Sequence, residues 1–120
     1  MKQEHSKYKL INISTLNKKY GDDKRLVSKV ITIFLKRMPE LKDSLSQAVS
    51  LEEFENITIS AHSLKGALSN FYVEELTESA RKIEMSALKQ ESIDQIKKDV
   101  SVLMNELAQL EQDLSLYLNS

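Results

Sequence analysis

The chain has 120 residues, 41% of them hydrophobic, which is enough for one core and too little for two independent ones. Its 17 basic and 18 acidic residues nearly cancel to a net charge of −1, and no basic block or aromatic-interleaved patch supplies a nucleic-acid footprint. With no cysteine, two glycines and one proline, the composition excludes a disulfide framework and a thiolate site, and leaves little material for the turns of an all-β fold.

No apolar run reaches the length of a membrane span, and the polar start from Met1 to Lys9 lacks a signal-peptide core. The expected location is the cytoplasm, with neither membrane nor nucleic acid as partner. Met1 and the absence of a neighbouring domain favour a free-standing chain.

Residues 1–10 are polar and aperiodic and read as a flexible arm, in which His5 is incidental. A short helix around Ser14 to Tyr20 follows, with Asn12 or Ser14 as its cap, and Gly21-Asp22-Asp23 punctuates the chain. Asp22 or Asp23 then caps a long helix whose apolar face is Val27, Val30, Ile31, Phe34, Met38, Leu41, Leu45 and Ala48. Pro39 lies inside it and predicts a kink near Leu35 to Met38 rather than two helices.

Ser50-Leu51-Glu52-Glu53 has the form of a capping box, which starts the next helix near Leu51. Phe54, Ile57, Ala61, Leu64, Leu68 and Phe71 form its core stripe, and it is expected to end at Ser69 or Asn70. A tight connection leads to a fourth segment with Leu76, Ala80, Ile83 and Ala87, completing an antiparallel hairpin. The last segment repeats Ile93, Ile96, Val100, Leu103, Leu107, Leu110, Leu114 and Tyr117 in three- and four-residue steps, a seam that fits either an intramolecular core or a homodimeric coiled coil. The intramolecular reading is preferred. Residues 11–120 are therefore expected to form an all-α domain: a monomeric, up-and-down antiparallel four-helix bundle with a short additional N-terminal helix.

His62 lies off the core stripe of its helix, sharing the polar side with Glu55, Thr58, Lys65, Gly66 and Ser69. There is no glycine-rich phosphate loop, no HExxH and no GxSxG, and no further ligands converge on His62, so self-contained catalysis and metal binding are set aside. What remains is an imidazole, which can offer an unprotonated ring nitrogen as a nucleophile. Gly66, four residues on, costs about 1 kcal/mol against alanine in a helix interior. Its missing side chain either clears space beside the imidazole or admits a close-packed helix. Lys65 can set an ammonium near phosphoryl oxygens, or be merely solvated. Ile59 faces outward as a candidate apolar contact for a visiting partner, with Ser69 on the same side.

These residues resemble the histidine-containing phosphotransfer (HPt) domain family. Ala61-His62-x-Leu64-Lys65-Gly66, then Ser69-Asn70-Phe71, Leu76 and Ile83-Glu84, are similar to that family's His-x-x-Lys-Gly helix, turn and following Leu and Leu-Glu positions. Gly21-Asp22-Asp23 and Met38-Pro39-Glu40-Leu41 add to the likeness, which covers nearly all the chain beyond the arm.

The resemblance implies that His62 accepts a phosphoryl group from a receiver-domain aspartate and passes it reversibly to another receiver, in a relay fed by a hybrid sensor kinase. Such a protein is a phosphoryl carrier rather than an enzyme and binds no cofactor itself. The receiver supplies the aspartate and Mg²⁺. Lys65 would steady phosphoryl oxygens, Gly66 would permit close docking, and Glu84 would accept from Nδ1–H of the imidazole, leaving Nε2 free.

Two positions depart from the pattern: Tyr72 stands where the family usually has glycine, and Leu68 where a small residue is common. Tyrosine at a helix C-terminal left-handed position carries strain of roughly 1 kcal/mol or more, which predicts an altered connection and puts partner choice in question. Two rivals remain. A sensor-kinase dimerisation domain would have an acid directly after the histidine, where this chain has Ser63. A degenerate HPt-like adaptor would bind a receiver without carrying phosphate, against which stand the intact His62, Lys65 and Gly66.

Overall fold

The computed structural model describes residues 7–120; His5 lies outside them. Five α-helices and no strand occur among the described residues: α1 (Ile13–Lys19), α2 (Lys24–Ser50), α3 (Phe54–Leu68), α4 (Glu74–Leu88) and α5 (Ile93–Leu118). The bundle is therefore all-helical, with α1 as its short leading helix. The dominant contacts join α2 to α3, α3 to α4, α4 to α5 and α5 back to α2, so α3 and α5 sit diagonally across the core.

Three of the five helices start at a side-chain cap. Asn12 caps α1 by accepting from Thr15 N–H, Asp23 caps α2 by accepting from Arg25 and Leu26 N–H, and Ser92 caps α5 by accepting from Gln95 N–H. α2 continues unbroken through the exposed Pro39. The expected stripes form one core, in which Ile31, Met38, Leu45, Ile57, Leu64, Leu68, Leu76, Ile83, Ile96 and Leu103 are fully buried. The α5 seam from Ile96 to Leu114 is buried inside this chain, which fulfils the intramolecular reading.

The capping box does not form. Ser50 is instead the last residue of α2, and Glu52 turns the chain in the left-handed conformation (φ 57°). Glu52 N–H donates to Val49 C=O and Glu53 N–H to Ala48 C=O, each at 3.0 Å, a pair of bonds that uses the orphan carbonyls of α2. The α2 terminus thus claims the residues the box required. α3 begins three residues later than expected, at Phe54, with Glu53 as an N-cap lacking a side-chain bond to the helix backbone. The same paired closure ends α1 at Gly21 (φ 66°) and α4 at Gln90 (φ 53°).

α3 ends at Leu68 and tightens into a single 3₁₀ turn, Ser69–Phe71. Phe71 is buried edge-on against Phe34 of α2, with ring centroids 4.6 Å apart, which anchors the turn for about 0.5–1.5 kcal/mol beyond its area burial. Tyr72, after this turn, adopts the left-handed conformation (φ 56°, ψ 37°), so the tyrosine carries the strain expected of a residue with a Cβ there.

The described end of the expected arm is held in place. The Lys9 N–H donates to Oδ1 of Asp113 at 3.1 Å, and those of Leu10 and Ile11 donate to Oδ2 at 2.6 and 3.1 Å. Asp113 is buried on α5, Ile11 joins the core, and Tyr8 packs on Tyr117. Lys9 to Ile11 thus form a strap across α5, because a buried carboxylate needs donors and these three amides provide them.

Candidate functional site

The site forms where the solvent side of α3 meets α4. Counting from His62 at about 100° per residue, Ser69 lies at roughly −20°, Lys65 at −60°, Gly66 at +40° and Ile59 at +60°. α4 borders the negative side, through Lys65 and Glu84, and α2 borders the positive side, beyond Asn70. The hairpin sets Glu84, 22 residues later in sequence, beside His62.

His62 Nδ1 lies 2.7 Å from Oε2 of Glu84, with the ring's side chain 67% exposed and the carboxylate 15% exposed. Because an ionised carboxylate only accepts, this contact assigns the proton to Nδ1 and leaves Nε2 as the nitrogen with a free lone pair. Lys65 Nζ is 2.8 Å from the other oxygen, Oε1, an ion pair rather than a well-angled hydrogen bond. Glu84 thus bridges the two residues. Burial pushes its carboxyl up, but the contacts with Lys65 and His62 outweigh burial and hold it below the ordinary glutamate value.

Gly66 is exposed, and a Cβ built there would meet nothing within 4 Å. No helix packs against it, which removes the close-packing explanation and leaves open space beside His62. Ile59 is 57% exposed on the same side. Ser69 is exposed but donates its hydroxyl back to Gly66 C=O at 2.7 Å. Lys65 is less free than its surface position implied, since Glu84 already engages its ammonium.

Arg81 escaped the sequence reading. It pairs with Glu78, close enough to Glu84 to feel its charge, and its spacing three residues before Glu84 was the available signal. A surface groove of about 790 Å³ lies elsewhere, between α4 and α5; it is lined by mixed charges, including Glu75, Lys82 and Glu106, and holds no histidine. His62 itself stands on an exposed surface, with open space at Gly66 one turn away. Among the described residues there is no cluster of acids and histidines that could hold a metal, and no helix long and apolar enough to cross a membrane.

A four-helix bundle that presents one exposed imidazole, fixed at Nδ1 by a carboxylate, has the architecture of a phosphocarrier module. The Hpt domain family matches residues 29–113, and the chain belongs to that family. Among solved structures, the HPT domain from the Hpt sensor hybrid histidine kinase from Shewanella superposes with a TM-score of 0.80 over 92% of this chain and 94% of that one, at 17% identity. At that identity the likeness speaks to the fold. No curated protein matches the chain. Family membership supports a general role in phosphorelay phosphotransfer.

Proposed function

We propose that His62 is the phosphoacceptor of a multistep phosphorelay, taking a phosphoryl group from a receiver-domain aspartate and passing it reversibly to another receiver. The observation that carries the reading is the Glu84–His62 contact, which fixes the imidazole through Nδ1 while most of the ring stays in solvent. In the forward step the Nε2 lone pair attacks phosphorus in line, the N–P bond forms, and the acyl-phosphate O–P bond breaks to return the receiver's carboxylate. No proton has to leave. The ring gains positive charge as the bond forms, and the adjacent Glu84 carboxylate offsets it without reorganising.

The receiver brings the aspartate and Mg²⁺, and a hybrid sensor kinase stands upstream, in the cytoplasm. Lys65 first sets Glu84. Its ammonium has two further donors, which reach toward phosphoryl oxygens one turn from His62. Gly66 and Ile59 provide close approach and apolar contact, with Ser69 at the edge of the docking face.

Mixing the protein with a phosphorylated receiver and Mg²⁺ tests the reading. Wild type should acquire an acid-labile, base-stable phosphoryl label, and His62→Gln should acquire none. Receiver binding without any label would assign the protein to the non-phosphorylated adaptor class.

A further inference from the structure

The outward face of α5 is uncharged over the C-terminal part of the helix. From Val100 to Ser120 the only charged side chains are Glu106, Glu111 and Asp113, and each meets a partner within the chain. Glu106 receives the Ser79 hydroxyl of α4 at 3.5 Å, Glu111 pairs with Lys42 of α2 at 2.7 Å, and Asp113 is buried beneath the strap. Lys98 bounds the face at its N-terminal end. Between these borders Val102 and Leu116 stand 57% and 40% exposed. In a chain that is 29% charged, an exposed helix face with apolar side chains and no charge has the composition of an interface centre rather than of a solvated surface.

Helical counting shows that this face complements itself. Val102 and Leu116 lie along the edge toward α4, Ser101, Ala108 and Ser115 along the edge toward α2, and Asn105 and Gln112 on the crest between them. A two-fold axis crossing the crest between Ala108 and Gln109 lays each edge against the same edge of an antiparallel copy. Val102 then meets Leu116 of the copy, Asn105 meets Gln112, Ser101 meets Ser115, and Ala108 meets Ala108. Apolar groups face apolar groups, and amides face amides. The three rows share that axis to within about 1 Å, and the short side chains of the α2 edge let the helix axes approach closely.

The face is about 27 Å long and about 10 Å wide. With the shoulders of α2 and α4 it offers roughly 500 Å² per partner, about the 1,000 Å² total at which specific interfaces begin. That size fits a weak dimer, with a Kd of about 1–100 μM. Because no charge pair crosses the contact, its affinity does not depend on salt. α3 lies diagonally across the bundle from α5, so pairing leaves His62 of both copies exposed.

We infer that the outward face of α5 is a homodimer interface, in which two copies pack their last helices antiparallel about a two-fold axis beside Ala108. The buried seam from Ile96 to Leu114 takes no part and stays within each chain. The dimer replaces the monomer expected from the sequence. It stands apart from the phosphotransfer reading, since His62 is not in the contact, and it places two His62 surfaces on one particle, facing apart.

Sedimentation velocity on the full chain across about 1–500 μM tests the inference. Wild type should shift from the 13.8 kDa monomer toward twice that mass, equally in low and high salt. Ala108→Glu sets two carboxylates against each other at the axis and should raise the dimer Kd at least tenfold. Leu88→Glu is the control, since that residue is 62% exposed on α4, away from the face, and should change nothing. The chain has no cysteine, so Ala108→Cys carries a single thiol that should close a disulfide with its copy on mild oxidation at least tenfold faster than Leu88→Cys does.

Both substituted side chains are exposed, so melts at concentrations well below the dimer Kd should match wild type within a few degrees. Wild type that stays monomeric at every concentration overturns the inference. So does a dimer that Ala108→Glu leaves intact, because the contact then lies on another surface. A dimer that dissociates in high salt overturns it as well, since charges would then carry the contact.

Discussion

Glu84 reaches across the α3–α4 hairpin to hold His62 through Nδ1 with one carboxylate oxygen, 2.7 Å away, while the other oxygen receives Lys65 at 2.8 Å. A residue 22 positions later therefore decides which imidazole nitrogen faces the solvent. Lys65 acts on the imidazole at second hand, by keeping that carboxylate charged.

Replacing Glu84 separates orientation from charge. Glu84→Gln keeps an acceptor for Nδ1–H but removes the negative charge that offsets the phosphorylated ring, and transfer should slow about tenfold, on the order of 1.4 kcal/mol. Glu84→Ala, which also frees the ring, should slow it further. Rapid-quench transfer rates, with ¹⁵N spectra of the imidazole reporting the tautomer, distinguish the two effects; equal rates in both variants would mean that only the charge matters.

The depressed Glu84 carboxyl also makes a stability prediction. Because its folded value lies below the ordinary 4.5, the folded protein holds the ionised form more firmly than the unfolded chain does. That contribution is fully present at neutral pH, begins to fade as pH falls toward 4.5, and is gone below the folded value. Denaturant melts from pH 7 down to pH 3 should show Glu84→Gln losing less stability on acidification than wild type. Parallel curves would contradict it.

Tyr72 pays no visible penalty in chain direction, because its φ of 56° is the value a glycine would take. Lys19 Nζ lies 5.1 Å from its ring centroid, and the ring is 50% exposed. Tyr72→Gly relieves roughly 1 kcal/mol of left-handed strain but gives back a similar amount in unfolded-chain entropy and the cation–π contact. Thermal stability should stay within about 1 kcal/mol of wild type, whereas a connection needing the tyrosine for packing would lose several.

The bundle was legible because each stripe obeys helical spacing: Ile57 to Phe71, Leu76 to Ala87 and Ile96 to Leu114 all became core. His62 and Gly66 stood out because each breaks the pattern around it. The false capping box shows the limit, since Ser50 and Glu53 satisfy its spacing while Glu52 satisfies the closure of the preceding helix, and only packing decides between them. The Lys65–Glu84 pair and the Asp113 clasp depend on contacts across the fold, for which helix periodicity carries no signal.

Asp113 is a buried carboxylate whose partners are the Lys9, Leu10 and Ile11 amides and the Gln109 side chain. Asp113→Asn leaves one acceptor oxygen and turns an amide NH₂ toward backbone donors, so about 2–3 kcal/mol of stability should be lost. Hydrogen exchange should localise the change, with the Leu10 and Ile11 amides losing protection while the α3 core keeps its own. Protection retained at those amides would mean that Ile11 packing alone holds the strap.

Gly66 separates stability from the proposed function. Its position inside α3 costs about 1 kcal/mol relative to alanine, and an added Cβ meets nothing within 4 Å, so within the isolated protein the glycine has no packing justification. Gly66→Ala should therefore raise stability by about 1 kcal/mol, read in urea melts. If the open space serves a receiver approaching His62, the same methyl group should slow phosphotransfer several-fold, and Gly66→Leu should slow it far more while leaving the bundle folded. A variant that gains stability and transfers at the wild-type rate would remove Gly66 from the docking surface and leave its cost in the helix without a compensating role.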